Sequence, residues 1–244
     1  CGRSHYLGND RLIGIVLQAH MGSTRLPGKM LMEMAGHSML WHNVERLRRA
    51  DKADALVVGL PDGESDQLLV EYCRREGWDV FRGSEEDVLG RYYHCARAYG
   101  FAHIVRATGD CPLVDPEVVD SMIELHLHDG ADYTSSKNEV GCGVPNGTGL
   151  EMFSFAALER SYREGCASHH REHINEYIVE NPDSFHIVAY SEPSRKHCPE
   201  LDLTVDTPED FLLVKGLIED FDGDHNRLTT EAIIAYWAKI QARL

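Results

Sequence analysis

A loop at residues 19–29 combines two basic side chains with residues that leave backbone amides free. Its sequence, AHMGSTRLPGK, follows an apolar run and leads into a helix-like segment. Successive N–H groups of such a loop can cradle phosphate oxygens, and Arg25 and Lys29 add charged donors suited to a polyphosphate. The spacing is not that of a P-loop, because five residues separate Gly22 from Gly28 and methionine follows the lysine. The residues alone leave two hypotheses, a phosphate cradle of another kind and an ordinary connection.

Two aspartates follow apolar runs elsewhere in the chain and are candidates for a metal site. Asp110 comes shortly after HIVRA, and Asp206 directly after LDLTV. At the carboxyl ends of two strands, their hard oxygen atoms could share one Mg²⁺ bound to phosphates. The alternative is that each is a helix cap or a solvated turn residue. Asp115, which stands directly before Pro116, is predicted to be a helix cap.

Three weaker patterns could also carry chemistry. GCGVPNG at 141–147 has glycines one residue too widely spaced for a dinucleotide fingerprint, and no clear strand precedes it. HHREH at 169–173 places two histidines one helical turn apart, yet neither a third ligand nor the H-E-x-x-H order accompanies them. We therefore interpret it as a surface or substrate-contacting cluster. Neither Ser23 nor Cys111 lies in a nucleophile-elbow pattern, which leaves little support for covalent catalysis.

Alternating apolar runs and amphipathic stretches must position these residues. Helix start signals occur at Asp115-Pro116 and at Thr207-Pro208. Apolar runs predict strands at 12–18, 55–60, 79–81 and 103–107, and helical patterns lie between them near 38–50, 64–76, 86–99 and 116–128. This alternation predicts an α/β fold in three layers, with a mostly parallel sheet and right-handed crossovers.

The second half of the chain is less regular. Residues 131–200 contain a turn-rich loop, a short strand candidate in LEMFSF, and a helical stretch at 154–180 with an interruption. We expect this segment to leave the sheet as an insertion and residues 201–205 to return to it as a strand. The prediction is one domain over 11–244. Residues 1–10 are polar and do not begin with Met, so we expect either an N-terminal extension or a remnant of a longer polypeptide.

Composition limits the classes of function. The 244 residues are 43% hydrophobic and carry a formal charge of −16, so a nucleic-acid partner is not expected. Seven scattered cysteines without a CxxC pair predict reduced thiols and a cytoplasmic protein. No apolar run in the sequence is long enough to span a bilayer, and the first ten residues lack a signal-peptide core. A membrane partner is therefore not expected.

Several motifs together resemble those of one enzyme family. QAHMGSTRLPGKML at 18–31 is similar to the QARxGSTRLPGKxL signature of the CTP-dependent cytidylyltransferases, which include the 3-deoxy-manno-octulosonate and acylneuraminate enzymes. The resemblance continues in the family's order through GSEEDVLGRYYHCA, RATGDCPLVDPEVVD, LEMFSFAALE, REHINEYI and LTVDTPEDF. It spans nearly the whole chain after residue 11 and is nearest to the spore-coat polysaccharide biosynthesis protein F branch.

This resemblance implies a fold of the nucleotide-diphospho-sugar transferase type. It implies a nucleotide-binding part at about 11–130, an acceptor and dimerisation insertion at about 131–200, and a return to the core at about 201–244. The implied reaction is attack by an acceptor oxygen on the α-phosphorus of CTP, with release of pyrophosphate. Mg²⁺ is the implied cofactor, CTP and a small acidic molecule are the implied substrates, and a homodimer is the implied assembly.

The same resemblance implies roles for particular residues. Catalysis is expected from Lys29, Arg25 and Asp110, and Mg²⁺ binding from Asp110 and Asp206. The acceptor is expected at Glu151, Arg171 and His173. The nucleotide is expected to contact two segments, through Ala19, His20, Met21, Gly22, Ser23, Thr24, Arg25, Lys29, Gly83, Ser84 and Asp87.

Three departures from the family's pattern leave the acceptor open. His20 stands where the signature has arginine, and an imidazole lacks the permanent charge and the fork of guanidinium. Three interpretations are open: triphosphate binding is weaker, His20 is protonated beside the phosphates, or the site serves another acceptor. The fourth possibility is that the histidine is merely tolerated at this position. NGTGLE at 146–151 and Asp202 also differ, near the expected acceptor pocket.

Four hypotheses on function follow from these features. The first is activation of an acidic sugar, such as an ulosonic acid, for surface polysaccharide biosynthesis. The second keeps CTP chemistry with a phosphonate or a phosphorylated small molecule. A nucleotide-sugar-dependent glycosyltransferase is the third, and the lack of a clear D-x-D motif disfavours it. A binding protein without catalytic activity is the fourth and has the least support.

Overall fold

The structure, a computed structural model, describes residues 12–137, 141–191 and 194–242. The extension expected at residues 1–10 lies outside the described residues. Within them, seven strands form one sheet and two more form a short hairpin. The strands are β1 Ile13–Gln18, β2 Glu33–Met34, β3 His37–Ser38, β4 Ala55–Pro61, β5 Asp79–Gly83, β6 His103–Thr108, β7 Tyr133–Ser135, β8 Glu151–Ser154 and β9 Ile187–Ala189.

Helices flank the large sheet and connect its strands. The first four match the four helices predicted between the early strands to within a few residues. None of the helices in the described part of the chain is long and apolar enough to cross a membrane. The helices are α1 Met39–Leu47, α2 Gln67–Arg75, α3 Val88–Tyr99, α4 Pro116–Asp129, α5 Phe155–Glu164, α6 Ser168–Glu172, α7 Glu176–Glu180, α8 Pro208–Asp220 and α9 Thr230–Gln241.

The large sheet has the strand order β5-β4-β1-β6-β8-β7-β9. β4 and β6 both pair with β1 in parallel, whereas β8 is antiparallel to β6 and to β7. The chain therefore leaves the central strand β1 toward β4 and β5 before it crosses to β6 on the other side. The predicted α/β fold with a mostly parallel sheet is confirmed.

Side chains of β1 alternate between two hydrophobic cores, one on each face of the sheet. Ile13, Ile15 and Leu17 belong to the core that contains α1, α2 and α8, and Val16 belongs to the core that contains α3 and α5. Successive strand residues point to opposite faces, and helices cover both faces of a parallel sheet. Because both faces of β1 are buried, its sequence is a continuous apolar run in which no polar residues alternate. This run is why the sequence predicts β1 correctly.

Two helices begin at the capping residues that the sequence predicts. Asp115 accepts the N–H of Glu117 at 2.9 Å at the start of α4. At the start of α8, Thr207 accepts the N–H of Asp210 at 3.3 Å, and the Asp210 carboxylate accepts the N–H of Thr207 at 2.8 Å. This reciprocal pair is a capping box, and it begins α8 directly after Asp206.

Residues 131–200 extend the sheet rather than leave it, since they supply β7, β8 and β9. Residues 201–205 form no strand, and their ladder contact is one isolated bridge between Asn146 and Asp202. The expectation of a returning strand was wrong, because the backbone groups of this segment bond to Asn146 and Asp110 in loops rather than to a strand of the sheet. The interrupted helix predicted at 154–180 is confirmed as α5, α6 and α7.

Candidate active site

The loops that follow β1 and β6 lie side by side, because these parallel neighbours end at the same edge of the sheet. The N–H of Gly109 donates to the carbonyl of Gln18 at 2.8 Å. A Cβ at Gly109 would lie 2.7 Å from Met30 Sδ and 3.2 Å from the Gln18 carbonyl oxygen. Glycine is therefore required for this approach. In open α/β sheets, ligands bind at the carboxyl ends of two neighbouring strands whose connections run to opposite sides of the sheet.

The basic loop after β1 is held by hydrogen bonds that leave much of it exposed. Asp66, which is 1% exposed, accepts the N–H of Met21 at 2.7 Å. Gly28 has a left-handed φ of +73° and donates to the Met21 carbonyl at 3.4 Å. Ser23 Oγ accepts an N–H at 3.2 Å within the loop. The exposed residues of the loop are His20, Gly22, Thr24, Arg25 and Pro27.

Lys29 and Arg25 meet at the carboxylate of Asp206. Lys29 is 5% exposed, and its Nζ donates to the Val205 carbonyl at 2.6 Å and to Asp206 Oδ1 at 3.2 Å. Arg25 Nη2 lies 2.9 Å from Asp206 Oδ2. The Asp210 carboxylate accepts the N–H of Asp206 at 3.1 Å and so fixes the backbone at this point. Three predicted site residues therefore form one charged cluster, with two cations and one anion.

Asp110 lies next to this cluster. Its carbonyl accepts the N–H of Val205 at 2.8 Å, which brings the turn after β6 against the segment before Asp206. Its Oδ1 is 3.4 Å from the Sγ of Cys111. Burial raises the pKa of the Cys111 thiol well above its ordinary value. Cys111 is thus protonated at neutral pH and unsuited to act as a nucleophile.

Two cavities share Thr108 and Asp110. The smaller, of about 40 Å³, is also lined by Gln18, Ala19, His20, Lys29, Met30 and Gly109. The larger, of about 170 Å³, is also lined by Arg106, Cys111, Lys137, residues 145–147, Gly149 and Thr204. A pair of cavities that meet at one carboxylate is suited to two substrates that react with each other there.

The donor set at this junction fits a hard divalent cation. Asp110 and Asp206 offer carboxylate oxygens, and Mg²⁺ is typically held by one or two carboxylates together with phosphate oxygens. Asp206 now shares its charge with Lys29 and Arg25.

The 83–87 segment lies beside the basic loop. A Cβ at Gly22 would lie 3.7 Å from Glu85 Oε1. Asp87 caps α3 by accepting the N–H of Gly90 at 2.8 Å, and Ser84 Oγ accepts the N–H of Asp87 at 3.1 Å. The predicted nucleotide residues of the two segments are therefore neighbours, and their contacts with a nucleotide stay predictions.

Glu151 lies beneath the larger cavity rather than on its surface. It is fully buried, and its Oε2 is 2.7 Å from Arg106 Nη1 and 2.7 Å from Lys137 Nζ. Its Oε1 accepts the Tyr133 hydroxyl at 2.5 Å. Burial would raise the pKa of Glu151, but Arg106 and Lys137 lower it to about 2. Three side chains thus enclose the Glu151 carboxylate, and two of them, Arg106 and Lys137, line the larger cavity. The contact of Glu151 with an acceptor stays a prediction.

Neither Arg171 nor His173 lines the larger cavity. Arg171 Nη1 is 3.5 Å from Asp87 Oδ2, and Nη2 donates to the Tyr162 carbonyl at 3.0 Å. His173 is exposed beside α6, and its N–H donates to the His169 carbonyl at 2.8 Å. Arg171 therefore lies beside the 83–87 segment, and His173 lies on the surface.

Two of the three histidines of HHREH, His169 and His170, form a cluster with Glu180. The Nε2 atoms of His169 and His170 lie 2.8 and 2.6 Å from its two oxygens, close enough for a shared metal. The N–H of Ala167 donates to His170 Nδ1 at 3.3 Å, so in the neutral ring the proton resides on Nε2. That nitrogen then donates to Glu180 and has no lone pair for a metal.

Sequence reasoning missed Arg106, Lys137 and Asp66. Arg106 carried a usable signal, because a charged residue inside the buried strand HIVRAT needs a partner or a ligand. Lys137 and Asp66 carried none, since each reaches the site only through contacts with residues distant in the chain.

Comparison with known proteins identifies the family. A cytidylyltransferase family model matches residues 13–235. The chain belongs to the cytidylyltransferase family. It is a nucleotidyltransferase, and the matched range includes both cavities and all the predicted site residues, from Ala19 to Asp206.

Several relatives resemble this cytidylyltransferase over most of their length. The spore coat polysaccharide biosynthesis protein SpsF of Bacillus subtilis (strain 168) is 38% identical over 219 residues, 86% of this chain and 87% of its own. A cytidylyltransferase structure from Leptospira borgpetersenii serovar Hardjo-bovis has a TM-score of 0.86 at 31% identity, covering 94% and 95% of the two chains. CMP:2-keto-3-deoxy-manno-octonic acid synthetase complexed with CTP has a TM-score of 0.64 at 16% identity, covering 86% of this chain and 99% of its own, and shares the fold.

Proposed function

We propose that this cytidylyltransferase transfers CMP from CTP to a small acidic acceptor with release of pyrophosphate. The observation that carries the proposal is the pair of cavities that meet at Thr108 and Asp110. The cavity next to the basic loop takes a phosphate group of the nucleotide, and the larger cavity takes the acceptor. The two reacting groups then meet beside Asp110.

In the proposed reaction, an acceptor oxygen attacks the α-phosphorus of CTP. The new phosphorus–oxygen bond forms as the bond to the β-phosphate breaks, and the acceptor proton passes to solvent. The protein positions both groups and offsets charge on the leaving pyrophosphate. Lys29 suits this role because its nearly buried Nζ is already fixed at the Val205 carbonyl, 2.6 Å away. Arg25 is exposed and can turn from Asp206 to a phosphate.

We further propose that Asp110 and Asp206 hold Mg²⁺ when the nucleotide is bound. The ion would polarise phosphate oxygens and stabilise negative charge as it develops. Asp206 would hold the ion through a carboxylate oxygen that now contacts Lys29 or Arg25. Asp210 accepts the N–H of Asp206 at 3.1 Å and so positions its backbone.

The acceptor we favour is an acidic sugar of the ulosonic type, used in surface polysaccharide biosynthesis. The name of SpsF, which is 38% identical, supports the pathway. A 3-deoxy-manno-octulosonate cytidylyltransferase of Aeromonas hydrophila is 34% identical over 43% of this chain, which supports the substrate type. A phosphonate or phosphorylated acceptor is the second candidate. The homodimer and the cytoplasmic location implied by the sequence belong to this proposal as well, and light scattering tests the dimer.

The test is release of pyrophosphate from each of the four nucleoside triphosphates with Mg²⁺ and a panel of acidic sugars and phosphonates. We expect release with CTP and a sugar acid. Asp110→Asn should abolish turnover with an unchanged circular dichroism spectrum, and Glu209→Gln, an exposed acid on α8, is the control. Absence of release with CTP and every acceptor, or wild-type activity in Asp110→Asn, would contradict the proposal.

A further inference from the structure

A separate cavity of about 240 Å³ lies outside the candidate active site. Residues near the end of α1 and near the starts of α4 and α9 line it. It shares no lining residue with the two cavities that meet at Asp110. The proposed reaction therefore leaves the polar groups of this cavity without a role.

Arg46 is a buried cation at this cavity whose donors are only partly used. It is 2% exposed, and its Nε and Nη1 donate to the carbonyls of Val114 and Leu228 at 2.6 and 2.8 Å. Burial lowers the pKa of Arg46 to about 10 against the effect of Asp115, so the side chain stays charged at neutral pH. A guanidinium group has five N–H donors, and Nη2 has no acceptor in the described part of the chain. Arg46 thus keeps donors for an anion.

Arg49 is a second cation of the lining that has no carboxylate partner among the described residues. Its Nη1 donates to the side-chain oxygen of Asn226 at 2.9 Å. Two carboxylates of the lining are paired elsewhere, since Lys196 Nζ lies 2.8 Å from both Asp115 and Glu117. The arginines and the acids of this cavity are therefore not each other's partners.

The charges around the cavity balance. The lining carries three cations and three carboxylates. Beyond it, Arg195 lies 3.4 Å from the carboxylate of Glu231, and Asp224 lies near the ring of His225. The indication of a ligand comes from how the groups are paired and not from an excess of charge.

A chain of hydrogen bonds fixes which nitrogen of His225 carries the proton. Burial lowers the pKa of His42, and it lowers that of His225 to about 3, so both rings are neutral. His42 Nε2 lies 2.7 Å from the Met34 carbonyl, which can only accept, so this nitrogen is protonated. His42 Nδ1 then accepts the N–H of His225 Nε2 at 3.0 Å. His225 Nδ1 is left with a lone pair.

That lone pair has no donor in the described part of the chain. His225 is 7% exposed and lines the cavity, and its Nδ1 is buried without a hydrogen-bond partner. Buried polar atoms of this kind are rare in proteins. A complementary ligand must accept from Arg46 and Arg49 and donate to His225. A hydrogen phosphate ion does both, because its ionised oxygens accept and its P–O–H donates.

Arg46 also connects this cavity to the turn that carries Asp110. Its Nε holds the Val114 carbonyl at one end of the turn, and Asn43 Nδ2 donates to the Gly109 carbonyl at the other end at 2.9 Å. Both side chains belong to α1. A ligand that fixes Arg46 would therefore stabilise the 109–114 turn.

We propose that this cavity is an effector site for a hydrogen phosphate ion, which accepts from Arg46 and Arg49 and donates to His225 Nδ1. The bound ion would steady Arg46 and, through it, the turn of Asp110. The proposal does not rest on the proposed function, because its residues line neither cavity of the candidate active site.

Isothermal titration calorimetry with inorganic phosphate, sulfate and methyl phosphate tests the site. At about pH 8 inorganic phosphate keeps one proton, whereas sulfate and the ester, whose second pKa is about 6, are fully ionised and cannot donate. We expect phosphate to bind about 10- to 100-fold tighter than either of the other two. At about pH 5 methyl phosphate carries a proton and should approach the affinity of inorganic phosphate.

Four variants locate the binding. Arg49→Gln changes an exposed side chain and should weaken phosphate binding about tenfold. Arg48→Gln, its exposed neighbour outside the lining, is the matched control. His225→Phe keeps a ring without the lone pair and should remove the preference for phosphate over sulfate. Arg25→Gln reports any phosphate bound at the basic loop instead.

Hydrogen exchange measures the link to the turn of Asp110. Phosphate should slow amide exchange within residues 109–114 of the wild-type protein, and it should do so less in Arg49→Gln at the same concentration. Unchanged exchange in the wild-type protein would overturn the effector role.

The binding site itself is refuted by any of three results. These are no binding of phosphate, equal affinities for phosphate and sulfate in the wild-type protein, and phosphate binding that is lost in Arg25→Gln but unchanged in Arg49→Gln. The ligand comparison needs no variant, so it decides even if His225→Phe folds poorly. Neither measurement involves turnover of CTP, so failure here leaves the proposed function standing.

Discussion

Replacement of Asp206 by asparagine should tighten the binding of CTP in the absence of Mg²⁺ although it abolishes turnover in its presence. The Asp206 carboxylate pairs with Lys29 at 3.2 Å and with Arg25 at 2.9 Å. These are the two cations proposed for the triphosphate. A nucleotide without a metal must displace the carboxylate from both, and the carboxylate also repels the phosphates.

The expected magnitude follows from the exposure of the two ion pairs. The side chain of Lys29 is 6% exposed, so its pair with Asp206 is nearly buried and is worth about 1.5–3 kcal/mol. The side chain of Arg25 is 63% exposed, so its pair is worth about 0–1 kcal/mol. Asparagine keeps the shape and can still accept from Lys29. We therefore expect CTP to bind about 10-fold tighter, which corresponds to a gain of about 1.4 kcal/mol in the free energy of binding.

Isothermal titration calorimetry with CTP in EDTA measures this effect, and the same titration with Mg²⁺ shows the loss of metal-dependent binding. Glu209→Gln removes one negative charge from an exposed side chain three residues away. It measures how much of the change in CTP affinity comes from long-range electrostatics alone. An affinity in EDTA that is unchanged or weaker in Asp206→Asn would show that Asp206 does not compete with the triphosphate.

Three other predictions concern the residues around the site. Asp115→Ala should destabilise the fold by about 3–5 kcal/mol in urea unfolding, because Asp115 caps α4 and holds the buried Lys196 Nζ at 2.8 Å; a loss below about 1 kcal/mol would contradict this. Burial raises the pKa of Asp115, but hydrogen bonds from Lys196 and Thr230 lower it overall, so its contribution is complete above its ordinary pKa of 3.8 and is lost in more acidic solution. Gly109→Ala should weaken CTP binding and cost about 1–3 kcal/mol, since its Cβ would meet Met30 Sδ at 2.7 Å, whereas Gly216→Ala, with nothing within 4 Å, should be tolerated. His20→Arg should bind CTP up to about tenfold tighter in calorimetry, and unchanged binding would indicate a dedicated role for His20.

Some features could be predicted because their causes are local in the sequence. Asp115 and Thr207 were recognised as caps because a capping side chain bonds N–H groups two or three residues away. The strand β1 was recognised because burial on both faces requires an uninterrupted apolar run. Asp110 and Asp206 follow apolar segments, and the hydrogen bond from the Val205 N–H to the Asp110 carbonyl brings these two segments together. That they share a metal stays a prediction.

Other features depend on which segments become neighbours in space. Residues 201–205 are apolar enough for a strand, but their backbone groups bond to Asn146 and Asp110 in loops, and so they form a single bridge instead. The family resemblance places Glu151 at the acceptor, and only the structure shows that Arg106, Lys137 and Tyr133 enclose its carboxylate. Residue type cannot show whether a charge is already neutralised, because its partner lies on another strand or loop.

The sequence by itself determined the family, the α/β class and the residue types that could bind phosphate and a metal, because motifs and periodicity reside in short stretches of chain. Only the tertiary structure decided how charges are paired. Lys29 with Asp206, and Arg106 with Glu151, join residues 177 and 45 positions apart. Coulomb energies depend on distance and burial in space, and neither quantity can be read from order along the chain.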